Sequence, residues 1–149
     1  MKVITGDLID LALKGYFKVI IHGCNCFCTM EAGVALAIKK AFPEAYQADL
    51  KTLKGDKNKL GSCSIATYQK KGKTFDIVNA YTQYHWSSSK PQLDYSALIS
   101  CFKWIKQNYP GQKIAFPKIG AGLAGGDWVK IESIITRELY QEDITLIVK

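Results

Sequence analysis

Short apolar strands alternate with helical segments along this chain, and that alternation narrows the possible folds more than any other feature. "KVITG" reads as a short strand and "FKVIIHG" as a buried one. "AGVALAIKKAF" has helical spacing, with Val34, Ala37, Ile38 and Ala41 on one stripe, and "PEAYQADLKTL" is a second helix with Pro43 at its first position. The strands "CSIATYQ" and "TFDIVNAY" flank the turn "KKGK", and the helix "LDYSALISCFKWIKQNY" stops at Pro110-Gly111. The strand "KIAFP", a glycine-rich turn, the helix "WVKIESIITRELY" and the strand "ITLIVK" complete the pattern. Strands interleaved with helices predict an α/β layered domain around a mostly parallel sheet. No internal repeat, low-complexity segment or linker interrupts it.

A chain of 149 residues, 48% hydrophobic, suits one compact domain spanning 1–149. No apolar run approaches the ~20 residues of a membrane span, and the opening "MKVITGDLID" lacks the apolar region and cleavage site of a signal peptide, so a cytoplasmic location is expected. In a reducing compartment five cysteines are expected to be thiols rather than a disulfide framework, with Cys63 and Cys101 as small hydrophobes. The formal charge of +7 is spread over single lysines and pairs, which suits an anionic ligand at least as well as nucleic acid.

The glycine-rich turn "PKIGAGLAGGDW" places Gly120, Gly122 and Gly125 in G-x-G-x-x-G spacing between a strand and a helix. Such a loop can bring backbone amides and a helix N-terminus against a pyrophosphate. A dinucleotide fold would put this motif in its first strand-helix unit, with an acidic residue ~20 residues later at the end of the next strand. Here the next strand ends at Lys149, and Glu142 and Asp143 precede it, so an anion-binding loop is the favoured reading over a nicotinamide site. A second strand-loop-helix element, "HGCNCFCTMEAG", runs from His22 to Gly33 and could clasp the same diphosphate from the other side. After the first strand, Asp7 in "TGDLID" can accept a hydrogen bond from an exocyclic amine such as the N6 of adenine. One nucleotide diphosphate would satisfy all three elements.

In order along the chain, "GDL", "HGCNC", "GVALAI", "GSCSI", "IVNAYTQ" and "PKIGAGLAGGDW" resemble the macrodomains, and the resemblance covers essentially the whole chain. Within that family it is similar to the fungal ADP-ribose 1''-phosphate phosphatases and related bacterial and phage proteins. The resemblance implies a three-layer α/β/α sandwich with a mixed, mostly parallel central sheet. It implies that Asp7 binds the adenine amine with the Leu8 amide beside it. Gly33 and Val34, together with Gly120, Ala121, Gly122, Leu123, Ala124 and Gly125, would hold the two phosphates through backbone amides. Asn25 would lie against the distal ribose, and His22 matches a histidine proposed to act in the phosphatase group, which makes His22 and Asn25 the candidate catalytic residues. The implied activity is hydrolysis of ADP-ribose 1''-phosphate to ADP-ribose and phosphate. The alternatives are a non-catalytic ADP-ribose reader, or a hydrolase removing ADP-ribose from proteins or nucleic acid.

No cofactor or metal is expected beyond the ligand ADP-ribose. Cys24, Cys26 and Cys28 alternate on what reads as an extended segment, but strand geometry spaces their sulfurs too widely for a tetrahedral zinc site, and the usual C-x2-4-C pairing with a second pair is missing. Two departures limit the chemistry. Macrodomains that remove ADP-ribose from proteins often carry an aromatic in the glycine loop where this chain has Ala124. The DNA-directed glycohydrolases use a lysine where Gln83 falls, and Gln83 cannot form a Schiff base. Asp127 is the only carboxylate of the glycine loop, and its default role is a helix N-cap. Partners are a small ADP-ribose ligand or an ADP-ribosylated macromolecule and no membrane. RNA or poly(ADP-ribose) could bind through the lysines, with Tyr81, Tyr84, His85 and Trp86 of "AYTQYHWSSSKP" stacking on bases.

Overall fold

A computed structural model describes residues 1–87 and 89–149; Ser88, inside the aromatic segment "AYTQYHWSSSKP", lies outside the described residues. The elements in chain order are β1 (Lys2–Thr5), α1 (Leu8–Leu13), β2 (Val19–Cys24), α2 (Gly33–Ala41), α3 (Pro43–Leu50), β3 (Cys63–Lys70), β4 (Lys73–Tyr81), α4 (Tyr95–Asn108), β5 (Lys113–Phe116), α5 (Trp128–Glu138) and β6 (Asp143–Val148). The six strands form one sheet in the order β1-β6-β5-β2-β4-β3, parallel throughout except where β3 runs antiparallel to β4.

Side-chain alternation along the central strand makes the layers. On β2, Val19 and Ile21 point to one face, where they join Leu98, Phe102 and Ile105 of α4 and Ile131 and Ile135 of α5. Ile20 points to the other face, with Ala12 of α1, Ile38 of α2 and Ala45 of α3. A strand buried on both sides has no polar alternation to show, which is why "VII" reads as a continuous apolar run and the His22 that follows it is buried as well. Each fully buried Ile, Leu or Phe side chain contributes roughly 1.5–3 kcal/mol.

Helix α2 departs from the expected stripe. Of Val34, Ala37, Ile38 and Ala41, only Ile38 is buried; Val34 is 43% exposed. The helix is held down by Ile38 and the Phe42 that follows it, leaving Val34 and Ala37 on a cleft wall. Helix α3 also ends earlier than "PEAYQADLKTL" suggests, at Leu50.

The sheet order fixes where that cleft lies. From β2 the chain moves toward β4 and β3, whereas from β5 it moves toward β6 and β1, so the loops leaving these two neighbouring strands part at their carboxyl ends. That divergence is where open α/β sheets place their ligands. Among the described residues no helix is long and apolar enough to cross a membrane.

Candidate functional site

The cleft at this edge has two lobes. The proximal lobe, about 660 Å³, is walled by Gly6 to Ile9 after β1, by Val34 and Ala37, and by Ile147 to Lys149. The distal lobe, about 450 Å³, is walled by His22 to Asn25, by Thr29 and Glu31 to Ala35, and by Gln83, Trp86 and the glycine loop. Gly33, Val34, Pro117, Lys118 and Gly122 line both lobes and form the waist between them.

The waist is built to receive negative charge. Helices α1, α4 and α5 are each capped by an aspartate, Asp7, Asp94 and Asp127, whose carboxylate accepts a first-turn N–H. Helix α2 begins beside Ala32, which offers no side-chain cap, so the amides of its first turn carry their partial positive charge into the waist. Lys118 adds a full charge from the opposite wall and makes no ion pair among the described residues.

The glycines of the loop divide by cause. Gly120 and Gly125 sit at φ +75° and +71°, in the left-handed region. A Cβ on Gly126 would lie 2.4 Å from Leu93 Cδ2 and 2.8 Å from the Gly120 carbonyl oxygen. Gly122 has neither constraint: its φ lies outside the left-handed region and a Cβ there would meet nothing within 4 Å. The fold does not require glycine at this position, and the empty space beside it is the waist. Gly120, Leu123 and Ala124 face the distal lobe and Ala121 the proximal one, whereas Gly125 lines neither and closes the turn with an N–H to the Gly122 carbonyl at 3.0 Å.

Asp7 stands in the proximal lobe with Leu8. One carboxylate oxygen caps α1, accepting from the amides of Ile9 at 3.0 Å and Asp10 at 3.1 Å. The other faces Lys149 at 3.6 Å, on an exposed surface. Asp127 is a cap as expected, accepting from the Val129 amide at 3.0 Å, and lines neither lobe.

His22 lies buried at the floor of the distal lobe. Its Nε2 is 2.6 Å from Asn79 Oδ1. The Asn79 amide nitrogen donates to the Ala45 carbonyl and to Ser64 Oγ, both at 3.0 Å, and since a carbonyl can only accept, Asn79 must present its oxygen to the histidine. His22 is therefore an Nε2–H donor. Ser64 and Tyr81 hydroxyls continue the chain at 2.8 Å, and Tyr81 donates to Asp49 Oδ1 at 2.7 Å. Donors run one way from His22 to Asp49, whose carboxyl is pushed up by burial and pulled down by Tyr81 and Lys59. Burial lowers the His22 imidazole to about 4, outweighing the Asn79 hydrogen bond, so near neutral pH the ring is uncharged. Cys24, a thiol held well above its ordinary range by burial, places its sulfur 3.8 Å from Nδ1.

Asn25 spends its amide on its own loop. It donates to Thr29 Oγ1 at 2.7 Å and the Thr29 carbonyl at 3.0 Å, and accepts from the Phe27 amide at 2.8 Å. The extended segment expected for the cysteines stops at Cys24; Cys28 turns to φ 58°, and the three sulfurs take separate partners, His22, the Gln83 carbonyl and the Asp49 carbonyl. Lys59, buried without a carboxylate within 4 Å among the described residues, pins this loop through the Cys26 carbonyl at 3.1 Å. Of the four groups expected to stack on bases, Tyr81 is fully buried and Tyr84 is half-buried with its hydroxyl on the Gly55 carbonyl, which leaves His85 and Trp86 at the rim. Lys118, Glu31 and Asn79 are the site's additions to the sequence reading. All three lie inside stretches quoted there, Glu31 in "HGCNCFCTMEAG", Asn79 in "IVNAYTQ" and Lys118 in "PKIGAGLAGGDW", but none carries a role there.

A model of the macro domain family matches residues 21–135. An uncharacterized 17.5 kDa protein from the tk-vs intergenic region of Enterobacteria phage T4 is 39% identical, over 99% of this chain and 94% of its own. The DNA ADP-ribosyl glycohydrolase of Mycobacterium tuberculosis is 26% identical over 92% of this chain, which spans only 38% of that protein. The ADP-ribose 1''-phosphate phosphatase of Candida albicans is 25% identical over 91% of each chain. Among solved structures, Thermosipho africanus DarTG in complex with ADP-ribose has the same fold, with a TM-score of 0.77 at 18% identity over 100% of this chain and 42% of that one. With the family model matching most of its length and the phage relative nearly all of it, the chain belongs to the macro domain family.

Proposed function

We propose that the chain binds ADP-ribose along the cleft and hydrolyses a substituent from C1'' of the distal ribose, with ADP-ribose 1''-phosphate as the first substrate to test. The observation that carries this reading is the pair of lobes joined at an uncapped helix terminus, with Asp7 in one lobe and no fold requirement for glycine at Gly122 in the waist. Adenosine fits the lobe with the carboxylate, the diphosphate fits the waist, and the distal ribose reaches the lobe above His22. The Candida albicans phosphatase and the M. tuberculosis glycohydrolase are named for substrates whose hydrolysis leaves ADP-ribose.

In the phosphatase reaction the water oxygen bonds to phosphorus, the bond from phosphorus to the C1'' oxygen breaks, and a proton passes from water to that oxygen. With the waist amides occupied by the diphosphate, the glycine-loop backbone at Leu123 and Ala124 and the Lys118 ammonium, which line the distal lobe, stabilise charge developing on the phosphate. A neutral His22, committed through Nε2–H to Asn79, is suited to positioning rather than to protonating the leaving oxygen. Five free thiols suit a reducing compartment, and we place the activity in the cytoplasm.

Calorimetric titration with ADP-ribose, NAD and ATP, followed by phosphate release from ADP-ribose 1''-phosphate, tests the reading. Selective ADP-ribose binding with release that falls in His22→Ala at near-constant affinity supports it in full. Tight binding without release leaves a reader, or a hydrolase of another ADP-ribose linkage. Failure to bind ADP-ribose defeats it.

A further inference from the structure

Hydrolysis in the distal lobe has to move a proton, and few groups on its walls can. His22 is uncharged near neutral pH and commits its Nε2–H to Asn79. Burial holds the Cys24 thiol well above its ordinary range. Asn25 spends both ends of its amide on its own loop, donating to Thr29 and accepting from the Phe27 amide. Lys118 is a cation, suited to the phosphate charge and not to accepting a proton. Among the described residues, Glu31 is the one carboxylate that lines this lobe.

The fold gives Glu31 no other work. It precedes Ala32 at the start of α2, yet its carboxylate accepts no backbone N–H among the described residues and so does not cap the helix. Its charged neighbour is Lys39, whose ammonium reaches Oε1 at 3.4 Å. The Glu31 side chain is 68% exposed, and a pair so open to water adds little to stability. Lys39 is the better held of the two, 30% exposed with its ammonium 4.2 Å from the Tyr46 ring centroid. It tethers one carboxylate oxygen and leaves Oε2 without a partner among the described residues. The placement is specific as well. Gly33, two residues on, lines both lobes whereas Glu31 lines only the distal one, so the carboxylate stands where the waist opens into that lobe. In the reading above, on which this inference rests, the lobe holds the distal ribose and its C1'' substituent. Lys118 faces them from the opposite wall.

We propose that Glu31 is the proton-transfer group of the hydrolysis at C1''. Its carboxylate takes a proton from the attacking water as the water oxygen bonds to phosphorus. The bond from phosphorus to the C1'' oxygen breaks, and the proton passes on to that oxygen, which returns Glu31 to its starting charge. The two opposed charges divide the work, Lys118 meeting the charge on the phosphate and Glu31 moving the proton.

The test measures phosphate release from ADP-ribose 1''-phosphate, and ADP-ribose affinity by calorimetric titration, in wild type, Glu31→Gln and Glu31→Ala. Glu31→Gln keeps the size of the side chain and removes the base, so kcat should fall about 10²- to 10⁴-fold while ADP-ribose affinity stays nearly constant. Added formate should restore part of the turnover of Glu31→Ala in proportion to its concentration and leave wild type unchanged, a rescue that a structural role would not give. Turnover in Glu31→Gln equal to or above that of wild type would overturn the assignment. So would a loss of turnover matched by an equal loss of affinity, or a Glu31→Ala protein that formate does not restore. A wild type that binds ADP-ribose but releases no phosphate defeats the phosphatase reading and the role of Glu31 with it, whereas wild-type release that is indifferent to Glu31 defeats only the latter.

Discussion

Gly122 and Gly126 sit four residues apart in one loop, and replacing each separates ligand binding from folding. A Cβ on Gly122 meets nothing within 4 Å and its φ needs no glycine, so Gly122→Val should fold with its melting temperature nearly unchanged. Its methyl groups would occupy the waist, where a diphosphate must come within hydrogen-bonding reach of backbone amides. Losing one or two hydrogen bonds to a charged group, ~1.5–3 kcal/mol each, weakens ADP-ribose binding about 10-fold or more. Gly126→Ala should do the reverse. Its Cβ would stand 2.4 Å from Leu93 and 2.8 Å from both Ile131 and the Gly120 carbonyl, an overpacking worth roughly 1–3 kcal/mol, or about 2–12 °C in melting temperature. Calorimetric titration and thermal unfolding of both variants check the pair. A folded Gly122→Val protein with wild-type affinity would refute the assignment of the waist to the diphosphate.

Asp7→Ala removes both the α1 cap and the proximal carboxylate, so it should lose roughly 0.5–2 kcal/mol of stability as well as affinity; Asp7→Ser keeps a capping oxygen and should lose affinity alone, measured by the same two methods. His22→Gln reports the buried imidazole. With a folded value of about 4 against an ordinary 6.5, the unfolded chain takes up a proton that the native state refuses, so this residue's contribution falls as pH drops from about 6.5 toward about 4. Between neutral pH and about pH 4.5, wild type should lose roughly 2 kcal/mol more than His22→Gln in urea unfolding. Lys118→Met should weaken ADP-ribose binding and flatten its dependence on salt, because the ammonium meets the ligand through a screened charge; an unchanged salt slope would remove Lys118 from the waist.

The sheet was legible because its signals are local. "VII" and "IAF" are apolar runs buried on both faces, and Asp127 and Pro43 mark helix starts at the expected places, whereas α4 starts at Tyr95, behind its Asp94 cap, rather than at Leu93. Helix α2 was misread for the same reason: apolar spacing reports a surface kept from water without saying what covers it, and Val34 and Ala37 face the cleft instead of the core. The commitments of His22 and Asn25 were invisible. Asn79, which sets the state of His22, is 57 residues away in the chain and reaches it only through the β2–β4 pairing, which aligns the two directly. Asn25 looked available because a side chain's local hydrogen bonds to a loop are not periodic and leave no pattern.

The caps carry the argument one step further. Capping a helix with aspartate rather than alanine gains roughly 0.5–2 kcal/mol, and this chain takes that gain at α1, α4 and α5. At α2 it forgoes the gain at the one such terminus that opens onto the waist. An aspartate at Ala32 would satisfy those amides internally and set a negative charge against the diphosphate. Ala32→Asp should therefore raise the melting temperature while abolishing ADP-ribose binding. Stability and affinity rising together in that variant would mean that the terminus of α2 does not meet the phosphates, and would move the anion site to the glycine loop and Lys118 alone.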